Sequence, residues 1–156
     1  MDANFDDRGV IVPCKSCGQK NRVAYDRLDS EVRCAQCKQP IAISEPIAIA
    51  SSADFDRLVA RASIPLLVDY WAPWCGPCRM VAPELQKVAA RRAGSLLVVK
   101  VNTDELADLG QRFGIRSIPT LAIFSNGREV TRASGARPAP EIEQWLDQAV
   151  LASSTS

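Results

Sequence analysis

The chain has 156 residues, of which 47% are hydrophobic, and its 19 basic and 18 acidic side chains give a net charge of +1. This length allows one ordinary domain with a small appendage, and the balanced charge gives no reason to expect binding to nucleic acid or to an anionic membrane. The acidic start of the chain lacks the apolar core of a secretion signal, and no segment approaches the roughly 20 apolar residues of a membrane helix. We therefore expect a cytoplasmic protein, in whose reducing surroundings paired cysteines favour metal binding or redox catalysis over structural disulfides.

Residues 1–45 are predicted to form a small domain of short extended pieces around two Cys-x-x-Cys pairs, "CKSC" and "CAQC", which are separated by sixteen residues. This spacing is typical of a tetrahedral zinc site, because two residues between thiolates allow a tight turn to present both sulfurs to one ion. Two disulfides or four free thiols are the alternatives. We favour one zinc ion, since a segment this small has little apolar surface to hold it together without a metal. The expected ligands are Cys14, Cys17, Cys34 and Cys37.

The charge of this segment permits a second interpretation. Between positions 14 and 38 there are six basic and three acidic residues, which could form a weak patch for nucleic acid. Such side chains more often face solvent, so a nucleic-acid partner is not expected.

Residues 46–156 are predicted to form a second domain in which strands and helices alternate. A short strand leads into a helix that is capped by Ser51 or Ser52 and has Phe55, Leu58 and Val59 on one face. An apolar strand over 64–72 follows. A helix over about 76–92 comes next, and its apolar residues at helical spacing are Met80, Val81, Leu85, Val88 and Ala89.

The rest of the chain continues the alternation with a strand over 95–102 and a helix over 104–114. Two strands around an Asn-Gly turn then form a hairpin. A last helix over 139–151 has apolar residues on one face, and the tail "ASSTS" is predicted to be disordered. The apolar residues of that face are Ile142, Trp145, Leu146 and Val150. This order predicts an α/β sheet with parallel inner strands and an antiparallel hairpin at one edge.

The sequence "WCGPC" places Cys75 and Cys78 where a strand leads into a helix. No further Cys-x-x-Cys pair lies at metal-site spacing from them, and the chain has no histidine to complete a mixed site. Free N–H groups and the dipole at a helix N-terminus stabilise a thiolate at Cys75, and Cys78 lies one turn later on the same face. We expect Cys75 to be exposed and acidic, with Cys78 within disulfide reach.

The run "LVDYWAPWCGPCRMVAPEL" closely resembles the thioredoxin family, and the resemblance continues through "VVKVNTDE", "FGIRSIPT", "SNG" and "SGA", from residue 46 to about 150. With the cysteine-rich segment in front, the chain is similar to the bacterial members that carry an added zinc ribbon. The resemblance implies a thioredoxin fold, in which helices flank a mixed central sheet. It also implies a dithiol–disulfide cycle that is recharged by an NADPH-dependent thioredoxin reductase.

The resemblance further implies roles for individual residues. Cys75 would be the attacking thiolate, Cys78 the resolving thiol, Asp69 a buried acid and Lys100 the lysine near it. From the residues alone, Asp69 is expected to be desolvated in its apolar strand, whereas a lysine at a strand end is usually exposed. The substrate-docking positions, with Pro119 expected in the cis form, would be Trp74, Gly76, Pro77, Ile118, Pro119, Gly135 and Ala136.

We therefore expect a reductase of protein disulfides that has no organic cofactor in the chain. A redox-switched binding module or holdase is one alternative, disfavoured by the intact cysteine pair and Asp69. A net oxidant or isomerase is another, disfavoured by the missing export signal and by the dipeptide Gly76-Pro77, which resembles the reducing members. Whether the zinc is structural or senses oxidants stays open.

Overall fold

The structure is a computed structural model that describes residues 4–154, with side chains described through residue 150. Its elements in chain order are β1 (Gly9–Pro13), β2 (Lys20–Ala24), β3 (Val32–Arg33), β4 (Pro40–Ile41), β5 (Ile47–Ala48), α1 (Ser52–Arg61), β6 (Leu66–Trp71), α2 (Gly76–Arg91), β7 (Leu97–Asn102), α3 (Ala107–Arg112), β8 (Thr120–Ser125), β9 (Arg128–Ser134) and α4 (Ala139–Ser154). Among these elements, no helix has the length and apolar content needed to cross a bilayer.

A five-stranded sheet in the order β5-β7-β6-β8-β9 forms the centre of the larger domain. Strands β5, β7 and β6 are parallel, and β8 runs antiparallel to β6 and forms a hairpin with β9. The predicted mixed α/β sheet with an antiparallel hairpin at one edge is therefore confirmed. The hairpin turns at Asn126 and Gly127, both with positive φ, as a tight Asn-Gly turn requires.

Helices cover both faces of this sheet, which explains why β6 is apolar along its length. On one face, side chains of α1 and α3 pack with Leu66, Val68 and Tyr70 of β6 in one hydrophobic cluster. On the other face, side chains of α2 and α4 form a second cluster with Leu67. Because strand side chains alternate, Asp69 faces the α2 side with Leu67. The carboxyl end of β6 then leads directly to the start of α2.

Two predicted helix boundaries are settled by side-chain hydrogen bonds. Ser51 rather than Ser52 caps α1, because its Oγ accepts from the N–H of Asp54 at 3.1 Å. Helix α3 is shorter than the predicted 104–114. Asn102 Oδ1 accepts from the N–H of Asp104 at 2.9 Å and holds the chain in a turn, so the helix begins only at Ala107.

Two expectations about apolar residues and one about the tail were wrong in detail. Met80 is 70% exposed, because Cys78, Val81 and Leu85 occupy the inner face of α2. Val150 is exposed, and its neighbour Ala149 is buried instead. The helix also continues through three residues of the tail predicted to be disordered, whose last two residues lie outside the described part of the chain.

The first 45 residues contain two antiparallel hairpins, β1–β2 and β3–β4. Each Cys-x-x-Cys pair lies just before the second strand of a hairpin. Gly18 and Lys38, which follow the two pairs, both have positive φ, the conformation that lets such a turn reverse tightly. A lysine at this position takes a conformation that favours glycine.

The expectation that this segment has little apolar surface was wrong for its first hairpin. Six side chains of residues 5–28 are buried in the same cluster as α1 and β6, because the hairpin packs against the larger domain. They are Phe5, Val10, Val12, Val23, Tyr25 and Leu28.

Polar contacts support this packing. Arg61 donates to the backbone oxygen of Asp7 at 2.8 Å, and its guanidinium lies 5.1 Å from the centre of the Tyr25 ring. Ser63 N–H donates to Tyr25 O at 3.0 Å, and the Ser63 hydroxyl accepts from the N–H of Leu28 at 3.1 Å. The two parts of the chain are therefore joined through a shared apolar core and through backbone groups.

Candidate redox and metal sites

The redox pair lies at the start of α2. Cys75 is the N-cap, and its sulfur accepts from the N–H of Cys78 at 3.2 Å. The two residues form a disulfide with a Cα–Cα distance of 5.3 Å, which is within the usual range. In the reduced state, this N–H and the helix dipole would favour a thiolate at Cys75. Pro77 fits here because N–H groups in the first turn of a helix have no partner within the helix, so the N–H that proline lacks costs no hydrogen bond.

A second loop covers the pair. The Ile118–Pro119 peptide is cis, as expected, and Cys75 Sγ lies 3.7 Å from the backbone oxygen of Ile118. Gly135, at φ +98°, donates its N–H to Pro119 O at 2.9 Å, so this loop is tied to the end of β9. The expectation that Cys75 is exposed was wrong, since it is only 4% exposed beneath this cover.

The seven positions predicted for substrate docking lie on three segments that the structure brings together. We call them the docking surface: Trp74, Gly76, Pro77, Ile118, Pro119, Gly135 and Ala136. Trp74 is 68% exposed, and its Nε1 donates to Asp104 at 3.3 Å. A Cβ added to Gly76 would meet nothing within 4 Å, so this glycine leaves open space beside the pair. Trp74 and Ile118 also line a groove of about 350 Å³ that runs along α3.

Asp69 is a buried carboxylic acid on β6, the strand that leads to the redox pair. It is 0% exposed, and neither carboxylate oxygen has a hydrogen-bond partner among the described residues. Burial raises its pKa to about 7, although the positive charge of Lys100 acts in the opposite direction. Lys100 lies opposite Asp69 on β7, and its ammonium is 4.6 Å from the centre of the Trp71 ring. The half-buried Lys100 is thus less exposed than a strand-end lysine usually is.

The four outer cysteines converge into one cluster, in which all sulfurs lie within 4.8 Å of one another. The shortest separations cross between the two pairs, at 3.6 Å for Cys14–Cys37 and 3.6 Å for Cys17–Cys34. Cys14 and Cys34 are buried, while Cys17 is exposed. The two hairpins therefore meet at their cysteine turns.

This cluster fits a tetrahedral metal ion. Zn–S bonds of about 2.3 Å give S···S edges of about 3.8 Å, close to the observed separations. The N–H of Cys37 lowers the pKa of Cys34 to about 6. The N–H of Gln19 favours a thiolate at Cys17, yet partial desolvation within the cluster and the neighbouring thiols raise its pKa to about 12. Four sulfurs at this distance cannot all be ionised unless a cation balances their charge.

Sequence reasoning missed Asn21, which joins the two hairpins. Its Nδ2 donates to Gln19 O at 3.0 Å, and its Oδ1 accepts from the N–H of Ala35, between Cys34 and Cys37, at 3.0 Å. Asn21 is 8% exposed. The stretch "SCGQKN", which predicts a turn, ends at Asn21, and this was the one signal, because a polar side chain that is buried there must find partners.

Comparison with known protein families agrees with this geometry. The model of the family described as "Thioredoxin" matches residues 46–148, and the model described as "Thioredoxin 2, N-terminal", a zinc ribbon, matches residues 13–39. The chain belongs to the thioredoxin family. It is accordingly a thiol–disulfide oxidoreductase with a Cys75–Cys78 redox pair, preceded by a zinc-ribbon segment whose four cysteines are positioned to bind a metal.

Individual relatives cover most of the chain. Thioredoxin C-3 of Corynebacterium nephridii is 40% identical over 139 residues, which is 89% of this chain and 94% of that protein. Thioredoxin 1 of Synechococcus elongatus is 48% identical over 101 residues, 65% of this chain and 94% of the relative. A mutant thioredoxin from Halobacterium salinarum has a similar structure, with a TM-score of 0.64 and 26% identity over 70% of this chain and 94% of its own.

Proposed function

We propose that this thioredoxin reduces disulfides of cytoplasmic proteins and is recharged by an NADPH-dependent thioredoxin reductase, so that it transfers electrons from NADPH to its targets. Residues 1–45 would form the metal-binding unit and residues 46–156 the redox unit. The observation that carries the reductase proposal is a cysteine pair at a helix start, with a buried acid on the strand that leads to it and the exposed residues Trp74, Gly76 and Pro77 around it.

In the first step, the Cys75 thiolate attacks one sulfur of a target disulfide. A bond forms between Cys75 and that sulfur, and the other target sulfur leaves as a thiolate that takes up a proton. The N–H of Cys78, 3.2 Å from Cys75 Sγ, supports the attacking thiolate. The docking surface holds the target chain against the cis-Pro119 loop during this step.

In the second step, the Cys78 thiol gives its proton to Asp69 and attacks Cys75. The Cys75–Cys78 disulfide forms, and the remaining target sulfur leaves as a thiolate. A carboxylic acid with a pKa of about 7 is suited to accept a proton near neutral pH. Lys100 would adjust this pKa through its positive charge. The chain has no histidine that could accept the proton in place of Asp69.

For the outer cysteines, we propose one zinc ion held by Cys14, Cys17, Cys34 and Cys37. Zinc supplies four bonds that fix the two turns relative to each other. It has no part in the disulfide exchange, which the residues of the larger domain carry out.

The test is reduction of a generic protein disulfide by the purified chain with NADPH and thioredoxin reductase. The wild-type protein should turn over, and Cys78→Ser should accumulate a mixed disulfide through Cys75 that is visible on a non-reducing gel. A wild-type protein that binds targets without reducing them would instead favour a binding module. Trapping by Cys75→Ser would reverse the two assignments. Elemental analysis of anaerobically purified protein tests the metal, and finding no zinc would contradict that part.

A further inference from the structure

Three arginines flank the docking surface. Arg79, one residue after the redox pair, donates from Nη2 to Pro73 O at 2.8 Å, so its guanidinium lies beside the loop before the pair. Arg116 lines the groove of about 350 Å³. Arg137 follows the last docking residue and donates to Ser134 O at 3.3 Å. Each of the three segments of the docking surface thus has one arginine next to it.

These arginines differ from most others in the same domain. Five arginines outside the docking surface each have a carboxylate within 3.1 Å, namely Arg57, Arg91, Arg92, Arg112 and Arg132. Within the described part of the chain, no carboxylate forms an ion pair with Arg79, Arg116 or Arg137. Among the described residues, their guanidinium groups hydrogen-bond only to two backbone oxygens, so they keep their capacity to bind a carboxylate.

The acidic side chains near the docking surface do not balance this charge. Asp104 is the one carboxylate of the described residues that hydrogen-bonds a docking side chain, at 3.3 Å from Trp74 Nε1. Glu84, on α2, is already bonded to Lys87 and to the N–H of Ala139. The three arginines therefore outnumber the one carboxylate that contacts a docking side chain, although the chain as a whole carries only +1.

We propose that Arg79, Arg116 and Arg137 select target segments in which the disulfide-forming cysteine is flanked by aspartate or glutamate. This inference rests on the proposed function and narrows its substrate class. The exposed docking surface would hold the target backbone and apolar side chains. The arginines would add attraction for flanking carboxylates on either side of the cysteine.

The expected preference for acidic segments is limited by salt screening. Charges at the edge of an interface act mainly on the rate of association, and salt screens them. We expect an acidic segment to be reduced about 10-fold faster than a basic one at low ionic strength, and less than about 2-fold faster at high ionic strength.

The experiment uses three disulfide-linked peptides that differ only in the residues flanking cysteine, which are glutamate, glutamine or lysine. The fully reduced protein is mixed with each peptide, and the second-order rate of peptide reduction is measured by rapid acid quench and chromatography. Omitting the reductase ensures that only this chain's surface is tested. Each rate is measured at about 0.02 M and about 0.5 M ionic strength.

Two variants are compared with the wild-type protein. The triple variant Arg79→Gln, Arg116→Gln, Arg137→Gln should lose the preference yet reduce the glutamine peptide within about 2-fold of the wild-type rate. The control is Arg128→Gln, which removes an exposed arginine without a carboxylate partner at the opposite end of the β8–β9 hairpin from Pro119. This control should keep the full preference.

The outcomes separate two hypotheses. Equal rates for the three peptides at low ionic strength, or a preference that persists in the triple variant, would overturn the selection by charge while leaving the reductase function intact. No reduction of any peptide would overturn the proposed function itself, and the charge selection with it. A preference that disappears in the triple variant and at high salt supports the inference.

Discussion

The pairs Cys14–Cys17 and Cys75–Cys78 have the same spacing, but the backbone forms a different structure after each of them. After Cys14 the chain reverses, with the N–H of Gly18 bonded to Cys14 O at 2.8 Å, and a hairpin strand follows. After Cys75 the chain continues as a helix of 16 residues. In the first arrangement, each pair faces a second pair. In the second arrangement, no second pair faces the cysteines among the described residues, and the two sulfurs form a disulfide with each other.

The surroundings of the two regions differ in the same way. The buried polar residue beside the outer cysteines is Asn21, whose amide oxygen and nitrogen are both hydrogen-bonded. The buried polar residue on the strand that leads to the redox pair is Asp69, whose two oxygens have no partner among the described residues. At a site that only holds an ion, buried polar groups that have all their hydrogen-bond partners add rigidity. At a site that moves protons, one group must be able to gain and lose a proton.

Serine substitution in each pair should give the largest difference in reduction rate between the two regions. Cys75→Ser removes the attacking thiolate, so disulfide reduction should fall by about 1000-fold or more. Cys17→Ser removes one exposed cysteine of the outer cluster, which has no part in the proposed disulfide exchange, and should leave the rate within about 3-fold. Rates measured with a protein disulfide under identical conditions give both values. A Cys17→Ser protein as inactive as Cys75→Ser would mean that the two regions do not work independently.

Removal of the metal should have the next largest effect, on stability. A strong chelator should lower the melting temperature by roughly 10 °C, because binding only to the folded state stabilises it. The turns and the β3–β4 hairpin should then exchange their amide hydrogens faster. The β1–β2 hairpin should stay protected, because Phe5, Val10 and Tyr25 are buried in the core shared with the larger domain.

Calorimetry and hydrogen exchange measure these effects, and disulfide reduction should continue after chelation. The buffer without chelator is the control. Loss of protection in β1–β2 would show that the shared core is too weak to hold the hairpin without the metal. An unchanged melting temperature would contradict a structural role for the ion.

Substitution of Asp69 should stabilise the protein at high pH and destabilise it at low pH. A pKa raised from 3.8 to about 7 favours the folded state at low pH. That contribution is fully present below about pH 4 and is lost as pH rises through about 7. The buried charge then costs about 4 kcal/mol. Asp69→Ala removes this cost but leaves a small cavity, so its net gain should be about 2 kcal/mol at about pH 8.

At about pH 4 the same variant should be less stable than the wild-type protein, since only the cavity remains. Urea unfolding at both pH values tests the change of sign, and Asp69→Asn, which keeps the volume, is the matched control. Both variants should resolve the mixed disulfide more slowly. Equal stability of Asp69→Ala and wild type at every pH, with a normal rate of resolution, would make Asp69 an ordinary strand residue.

The sequence alone predicts the parts of this protein that depend on local patterns. The apolar run of β6, a cap at Ser51 or Ser52 and the Asn-Gly turn are local signals, and each was confirmed, with Ser51 as the cap. The start of α3 was wrong because one side chain, Asn102, competes with the helix for the backbone. Helical spacing also misplaced Met80, which lies just beside the buried stripe.

Contacts between distant residues left no comparable signal. The cover over Cys75 comes from Ile118, 43 positions later, and the anchor of the first hairpin is Arg61, 54 positions after Asp7. Neither contact follows from a local period of apolar residues, and the place of Ile118 among the docking positions was implied only by the family resemblance. The convergence of the four outer cysteines was predictable because the chemistry of metal ligands restricts their spacing, so that local pattern carries information about a long-range contact.

The smallest predicted effect concerns Asn21, the buried amide that joins the two cysteine turns. Asn21→Ala leaves the N–H of Ala35 without its partner and removes a hydrogen-bond donor that lowers the pKa of Cys34. Groups that support metal ligands in this way change affinity by about 10-fold when they are removed, and a lost hydrogen bond costs about 1 kcal/mol. Zinc affinity, measured by competition with a chromophoric chelator, should therefore fall by about 10-fold.

The matched control is Asn102→Ala, which removes an asparagine that holds a turn after β7. Asn102→Ala should leave zinc affinity unchanged, since among the described residues the Asn102 side chain bonds only Asp104 and Glu105 of its own turn. Equal zinc affinities for Asn21→Ala and the wild-type protein would mean that the four thiolates alone hold the ion, and that the satisfied amide serves the packing of the hairpins.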